Sequence, residues 1–210
     1  MFVPLATALL YALASTFVEK KVLPSIGWTA FLEEPSPLLN LPRAYGLLLI
    51  ILGFTYIWVL MLGMKVSQAR NKYLKLAEKD GEKDVQERYA YPNLYAQGTT
   101  KNVRAFNCVQ RSHQQVLETF TGYIMTALFA GLEFPITASI FCILWLYSRS
   151  LWVSSYAESE GDPSKRYDKP FSSFFWNAML VLWMTCNMSA VSMLLGRSIF
   201  WDSIIPGDLF

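Results

Sequence analysis

An uncharged stretch of 21 residues follows Arg43 and constrains the fold more than any other feature of the chain. It reads AYGLLLIILGFTYIWVLMLGM and ends before Lys65. About 20 helical residues cross a hydrocarbon core of about 30 Å, so the stretch predicts a membrane-spanning helix. It lacks the alternation of apolar and polar residues that is typical of barrel strands.

Three further apolar runs complete the pattern. They cover residues 116–132, 136–153 and 174–195, with polar or charged segments between them. Hydrophobic residues make up 53% of the chain and charged residues 16%. Because a helix satisfies its own backbone hydrogen bonds in lipid, the sequence predicts an all-α integral membrane four-helix bundle.

The positive charges are distributed unevenly between the predicted loops. Ten Lys or Arg lie in residues 65–111 and four in residues 149–169, so fourteen of the eighteen fall on one side. The positive-inside rule makes this side cytoplasmic, or the matrix side in an organelle. The turn LEFP and the C-terminal tail DSIIPGDLF are predicted on the opposite side. Nothing in the charge pattern suggests a nucleic-acid partner.

Residues 1–42 form an additional N-terminal segment ahead of the four-helix domain of residues 43–210. The segment begins with the uncharged MFVPLATALLYALASTFV, continues with EKK and ends in a Pro-rich stretch. It is marginal in length for a span, so we expect a helix that lies in or against the membrane. A short anchor without other function is the alternative.

The polar region after the first span is predicted to start as a helix that continues out of the membrane and ends near Gly81. The following YAYPNLYAQG is rich in tyrosine and turn-forming residues. Ordered loops of this kind often form the rim of a site.

The cysteines and the single histidine predict no metal site. Cys108, Cys142 and Cys186 are far apart and lack the paired spacing of a disulfide framework or a zinc site. Cys108 follows Arg104 by four residues and precedes Arg111 by three, which suits either a reactive thiolate or an inert buried thiol.

A polar stripe marks the second predicted span, which begins FNCVQRSHQQVLETF. At about 100° per residue, the polar positions fall on one face of a helix about 100° wide. The stripe comprises Asn107, Arg111, Gln114, Gln115, Glu118 and Gly122.

Ionisable residues in a membrane segment normally face a cavity, the bundle interior or another subunit. Arg111 is two turns from Glu118, beyond ordinary i,i+4 pairing, so we expect Glu118 to find its partner on another helix or subunit. A polar network that only fixes helix packing is the alternative.

The third span carries a second polar face at the same membrane end. Arg149, Trp152 and Tyr156 recur at helical spacing, and the turn GDPSKRY beyond them holds Lys165 and Arg166. Together the two faces predict a pocket for an amphipathic anion. Ordinary positive-inside charge is the alternative explanation for Lys165 and Arg166.

Three motifs carry a family resemblance. FNCVQRSHQQVLETF, preceded by KVSQARNKY and followed by GDPSKR, resembles the membrane-associated eicosanoid and glutathione metabolism (MAPEG) family, nearest to the type 3 microsomal glutathione transferases. The similarity covers about residues 43–197. It implies a homotrimer in the endoplasmic reticulum membrane, with glutathione as co-substrate between subunits.

The resemblance also implies roles for individual residues. Arg111, Gln115 and Glu118 would bind glutathione, with Arg149 and Tyr156 nearby. Arg166 or Lys165 would stabilise the thiolate during transferase or peroxidase chemistry on lipophilic electrophiles or lipid hydroperoxides.

Two positions depart from the family pattern. Gln115 replaces the usual asparagine, and Trp152 replaces a tyrosine on the third span. These departures motivate an alternative function, a non-catalytic structural subunit of a larger membrane complex, for example in mitochondria.

Overall fold

The computed structural model describes residues 5–35 and 41–195. Most of these residues are helical, and Pro35 and Pro42 form an isolated backbone bridge. The predicted C-terminal tail lies outside the described residues. The N-terminal segment contains α1 (Leu5–Phe17), a π-helical turn (Val18–Val22), a kinked turn (Pro24–Trp28) in which Ile26 and Gly27 are not helical, and α2 (Thr29–Glu33).

Four long helices follow the N-terminal segment, together with one short helix. They are α3 (Arg43–Lys79), α4 (Val85–Arg88), α5 (Lys101–Gly131), α6 (Pro135–Ala157) and α7 (Phe175–Leu195). In α3, α6 and α7 the length and hydropathy suffice to cross a membrane. These three confirm predicted spans, whereas the second predicted span forms the C-terminal part of α5, whose N-terminal part is polar.

The helix ends follow the predicted turn residues. Helix α3 ends at Lys79, and Gly81 adopts a left-handed φ of 69° just beyond it, as predicted. The amide of Glu82 then donates to the carbonyl of Ala77 at 3.0 Å, which satisfies one of the last carbonyls of the helix. Helix α6 starts at Pro135, whose fixed φ suits a first helical position.

The chain divides into two compact units, of which the first contains Met1–Gly53, Gly122–Trp145 and Trp176–Phe210. Within this unit Gly131 allows a close approach, because a Cβ there would lie 2.2 Å from Leu48 Cδ2 and 3.1 Å from Tyr45 Cε2. The Tyr45 hydroxyl donates to the carbonyl of Leu128 at 3.3 Å.

The N-terminal segment is joined to the start of α6 by a carboxylate cap. Glu19, 2% exposed, accepts hydrogen bonds from the amides of Ile136 at 2.8 Å and Thr137 at 2.7 Å. The first amides of a helix have no hydrogen-bond partner within the helix and favour a nearby negative charge. The Glu19 carboxylate therefore caps the N-terminus of α6 from a distant part of the sequence. Beside it, Lys20 pairs with Glu133 at 3.0 Å.

The second unit contains Phe54–Thr121 and Leu146–Phe175. Its loop between α4 and α5 is anchored by Arg70, which is 5% exposed. The Arg70 guanidinium donates to the backbone carbonyls of Tyr89 at 2.9 Å, Asn93 at 2.8 Å and Leu94 at 3.1 Å. It also lies 4.7 Å from the centre of the Phe106 ring.

A carboxylate organises the base of the same loop. Glu82 accepts hydrogen bonds from Thr100 at 2.8 Å, Asn102 at 2.9 Å and Arg88 at 2.8 Å. Burial opposes ionisation of Glu82, but these hydrogen bonds outweigh burial and lower its pKa. Burial raises the pKa of the neighbouring Tyr89 to about 12, and the charge of Glu82 adds to the effect. The loop is therefore ordered by polar contacts as well as by apolar packing.

Candidate functional site

The second unit contains an open cavity of about 600 Å³. This volume is within the range of pockets that bind small molecules, about 300–1,000 Å³. Its walls come from the loop before α5, the first half of α5, the end of α6 and the turn after α6. The lining residues are Tyr95, Arg104, Asn107, Cys108, Arg111, Tyr156, Gly161 and Pro163.

The Asn107 side chain holds one wall of the cavity in place through two hydrogen bonds to the backbone. Asn107 accepts a hydrogen bond from the amide of Ala96 at 2.9 Å and donates to the carbonyl of the same residue at 3.0 Å. These two hydrogen bonds fix the loop against α5. They also position Tyr95, whose hydroxyl donates to the amide oxygen of Gln114. Tyr95 of the tyrosine-rich loop therefore lies in the cavity wall.

Arg111 and Glu118, the two charged residues of the polar stripe, form an ion pair with each other. Arg111 Nη1 lies 2.5 Å from Glu118 Oε1, although the two residues are two turns apart on α5. The expectation that Glu118 would pair with another helix or subunit is wrong for this state. Both side chains are long enough to extend toward each other along the helix. They are 38% and 46% exposed, so the pair remains accessible to a ligand.

The turn after α6 packs closely on the start of α5. Gly161 has a φ of 89°, and a Cβ there would lie 2.8 Å from Arg104 Cβ and 3.0 Å from the amide nitrogen of Ala105. A glycine is required at this point. In the same turn, hydrogen bonds from the Ser164 side chain and backbone lower the pKa of Asp162.

Arg149, a predicted ligand-binding residue, is not among the described residues that line the cavity, and its guanidinium lies in an aromatic cage. Its side chain is 0% exposed, and its guanidinium lies 4.6 Å from the Trp152 ring centre and 4.1 Å from that of Phe175. Its guanidinium nitrogens have no hydrogen-bond partner among the described residues. Such contacts stabilise a cation by roughly 0.5–2 kcal/mol, depending on desolvation.

The other predicted residues occupy different positions. Arg111 and Tyr156 line the cavity, whereas Gln115 and Glu118 are not among its lining residues in the described part of the chain. Lys165 and Arg166 are exposed on a 3₁₀ turn (Pro163–Tyr167) that starts at the cavity wall. Arg166 lies 5.4 Å from the Tyr167 ring centre and donates to the Pro163 carbonyl at 3.4 Å.

Sequence reasoning did not assign Tyr95 or Arg104 to the site. A signal for Arg104 was present, since it precedes Arg111 by seven residues and therefore shares its helix face. Tyr95 carried no comparable signal, because loop side chains follow no period. Cys108 is a free thiol that is 5% exposed, which agrees with the interpretation of a buried cysteine.

Three described helices that are long and apolar enough to cross a membrane indicate an integral membrane protein of the helical class, and Arg104 and Arg111 border its cavity. The model of the MAPEG family matches residues 47–188. The chain belongs to this family. The match includes every residue that lines the cavity, whereas the N-terminal segment with its Glu19 cap precedes it.

Proposed function

We propose that the protein is a membrane-bound glutathione transferase or peroxidase, closest in type to the type 3 microsomal enzymes. The observation that carries the proposal is the meeting of Arg111 and Tyr156 at one cavity. These residues come from separate helices, and Arg111 belongs to the motif that resembles the family's glutathione-binding segment.

The Arg111–Glu118 pair supports the binding of an amino-acid group. A guanidinium binds a carboxylate through strong charge-assisted hydrogen bonds, and a carboxylate binds an ammonium. The γ-glutamyl end of glutathione carries both groups. On binding, the ligand carboxylate would take the place of Glu118 at Arg111, and the ligand ammonium would bind Glu118.

The chemistry uses the glutathione sulfur as nucleophile. In the transferase reaction the thiolate forms a bond to an electrophilic carbon, and the leaving group departs with the electron pair. In the peroxidase reaction two glutathione molecules are oxidised to the disulfide, while a hydroperoxide is reduced to an alcohol and water. Arg166 or Lys165 would stabilise the thiolate, since both lie on the turn that begins with Pro163, a residue of the cavity wall.

The family also informs the assembly. We propose a homotrimer in the endoplasmic reticulum membrane, with α5 as the fourth spanning helix and substrates entering from the lipid bilayer. The exposed apolar residues of α3, among them Ile50, Phe54 and Ile57, supply a surface for lipid or for neighbouring subunits.

Purified protein in lipid nanodiscs tests the proposal. We expect calorimetry to detect glutathione binding, and a lipophilic electrophile such as an aryl chloride to form a glutathione conjugate. Arg111→Gln should reduce both signals, whereas Arg166→Gln should reduce conjugation more than binding. Wild-type protein that binds no glutathione would contradict the proposal.

The Arg149 cage favours a second candidate function. Its buried guanidinium contacts aromatic rings and is not part of the described cavity lining, which supports a packing role for Arg149 and Trp152. A family-derived structural subunit of a larger membrane complex, in mitochondria for example, would keep this packing without turnover. Native mass spectrometry separates the candidates, since a stable trimer of this chain alone argues against the structural subunit.

A further inference from the structure

The first compact unit contains a cavity of its own, between the N-terminal segment and the start of α6. Its volume is about 450 Å³, within the range of pockets that bind small molecules. The family match begins at residue 47, so the wall that the N-terminal segment supplies lies outside the matched residues. The apolar side chains in the wall include Val18, Leu23, Ile136, Ile140 and Phe141.

The polar side chains Ser15 and Glu19 also line this cavity, and both already have partners within the protein. The Ser15 hydroxyl donates to the carbonyl of Tyr11 at 2.7 Å. The Glu19 carboxylate accepts the amides of Ile136 and Thr137. Because these groups are engaged, the cavity favours a ligand that is held by burial of apolar surface rather than by hydrogen bonds.

Two aromatic residues with a polar end line the same cavity and are partly exposed. Tyr11 is 43% exposed and Trp28 is 46% exposed. Such residues are enriched where the hydrocarbon of a bilayer meets the headgroups. Helix α6 is long and apolar enough to cross a membrane, and the cavity lies beside its first two turns. We therefore expect the cavity at the edge of the hydrocarbon core, where the acyl chains of lipids begin.

The charges next to the cavity favour an anionic lipid. Glu19 is engaged in capping α6, and Lys20 is paired with Glu133 at 3.0 Å. Lys21 is exposed, and within residues 5–35 and 41–195 it forms no ion pair. It precedes Leu23, a residue of the cavity wall, by two positions. A lysine at the membrane surface attracts anionic headgroups, so Lys21 supplies a cation beside the apolar cavity.

We propose that this cavity binds an acyl chain of an anionic phospholipid, whose headgroup lies near Lys21 and Trp28. The chain would add apolar contacts between the N-terminal segment and α6 to the hydrogen bonds of the Glu19 cap. The proposal is independent of glutathione chemistry, because the candidate functional site belongs to the second unit.

Native mass spectrometry of the full-length protein, delipidated in detergent, tests the choice of ligand. The protein is titrated with phosphatidylglycerol, with phosphatidylcholine and with glycerol phosphate, which carries the charge without an acyl chain. We expect phosphatidylglycerol to bind about fivefold more tightly than phosphatidylcholine, the effect of one lysine at the headgroup. Lys21→Gln should remove this preference. Glycerol phosphate should not compete, since the acyl chain supplies most of the affinity.

Two substitutions that fill the cavity test its location. Ile140→Trp should weaken phosphatidylglycerol binding by on the order of tenfold, because displacing even two methylenes costs this factor. Ala14→Phe fills the cavity from α1 and should have a similar effect, so the result does not depend on the folding of one variant. Ile143→Trp is the matched control. Ile143 is 51% exposed, against 46% for Ile140, and is not among the described lining residues.

The control should bind phosphatidylglycerol as the wild type does. If both filled variants also bind like the wild type, the cavity is not the lipid site and the proposal is overturned. A changed oligomeric state in those variants, with lipid binding unaltered, would instead identify the cavity as an interface between copies of the chain. Equal binding of the two phospholipids by the wild type, or competition by glycerol phosphate, would overturn the assignment of an anionic phospholipid.

Discussion

Glu19 caps a helix that begins more than a hundred residues further along the chain, and its Oε2 accepts the Thr137 amide at 2.7 Å. We expect Glu19→Ala to lower the free energy of unfolding by about 1–2 kcal/mol, because two helix-terminal amides lose their partner. Thermal melting of the purified protein, followed by circular dichroism, measures the effect. Lys21→Ala alters an exposed residue of the same turn and should leave the melting temperature unchanged.

Glu118 is expected to matter for binding more than for stability. Glu118→Gln removes the charge that receives the ligand ammonium, so glutathione affinity should fall by about fivefold. The unfolding free energy should change by less than about 0.5 kcal/mol, because the Arg111–Glu118 pair is partly exposed. Calorimetry and melting measure the two quantities. Glu160→Gln is the control, and an equal loss of affinity in that variant would contradict a specific role for Glu118.

Asn107 is expected to act as a positioning residue for Tyr95. Asn107→Leu removes both hydrogen bonds to Ala96, so amide hydrogen exchange in residues 93–98 should accelerate by about tenfold. Asn107→Asp keeps the acceptor but loses the donor, and it should give an intermediate rate. Asn93→Asp, on the same loop, serves as the control. Unchanged exchange in Asn107→Leu would show that the clamp does not hold the loop.

The order of the loop should depend on pH through Glu82. Because the pKa of Glu82 is lowered below its ordinary 4.5 in the folded protein, its stabilising contribution is present above this value. That contribution is lost as the pH falls through the folded pKa. We expect proteolysis of the loop to accelerate below about pH 4.5 in the wild type. In Glu82→Gln cleavage should be faster at pH 7 and vary less with pH.

Two substitutions of Arg149 distinguish a packing role from a ligand-binding role. Since its guanidinium is enclosed by Trp152 and Phe175, we expect Arg149→Met to leave glutathione affinity unchanged. Stability should stay similar or rise, because a buried charge without hydrogen bonds is replaced by an apolar chain of similar length. Arg149→Ala should be less stable, since it leaves a cavity. A large loss of affinity in Arg149→Met would instead support ligand binding by this residue.

The sequence predicted what depends on local periodicity and composition. The run after Arg43 predicted α3, Pro135 and Gly81 marked helix ends, and the stripe that includes Arg111 predicted the polar face of α5. These features follow from hydropathy and backbone geometry, which depend on residues close together in the sequence.

Contacts between distant segments could not be predicted in this way. Nothing near Glu19 indicates that its partners are the amides of residues 136 and 137, and nothing near Arg70 indicates the carbonyls that it binds. The pairing of Arg111 with Glu118 was missed for another reason. The i,i+4 rule measures backbone spacing, whereas two long side chains can bridge a larger separation.

Arg70 binds the loop between α4 and α5 through main-chain carbonyls. Bonding to the main chain rather than to side chains affects how the protein can evolve. Every amino acid supplies a carbonyl, so side chains at the rim can be exchanged while the path of the loop is inherited. Homologues could therefore diverge in ligand preference around Tyr95 without first acquiring a new scaffold.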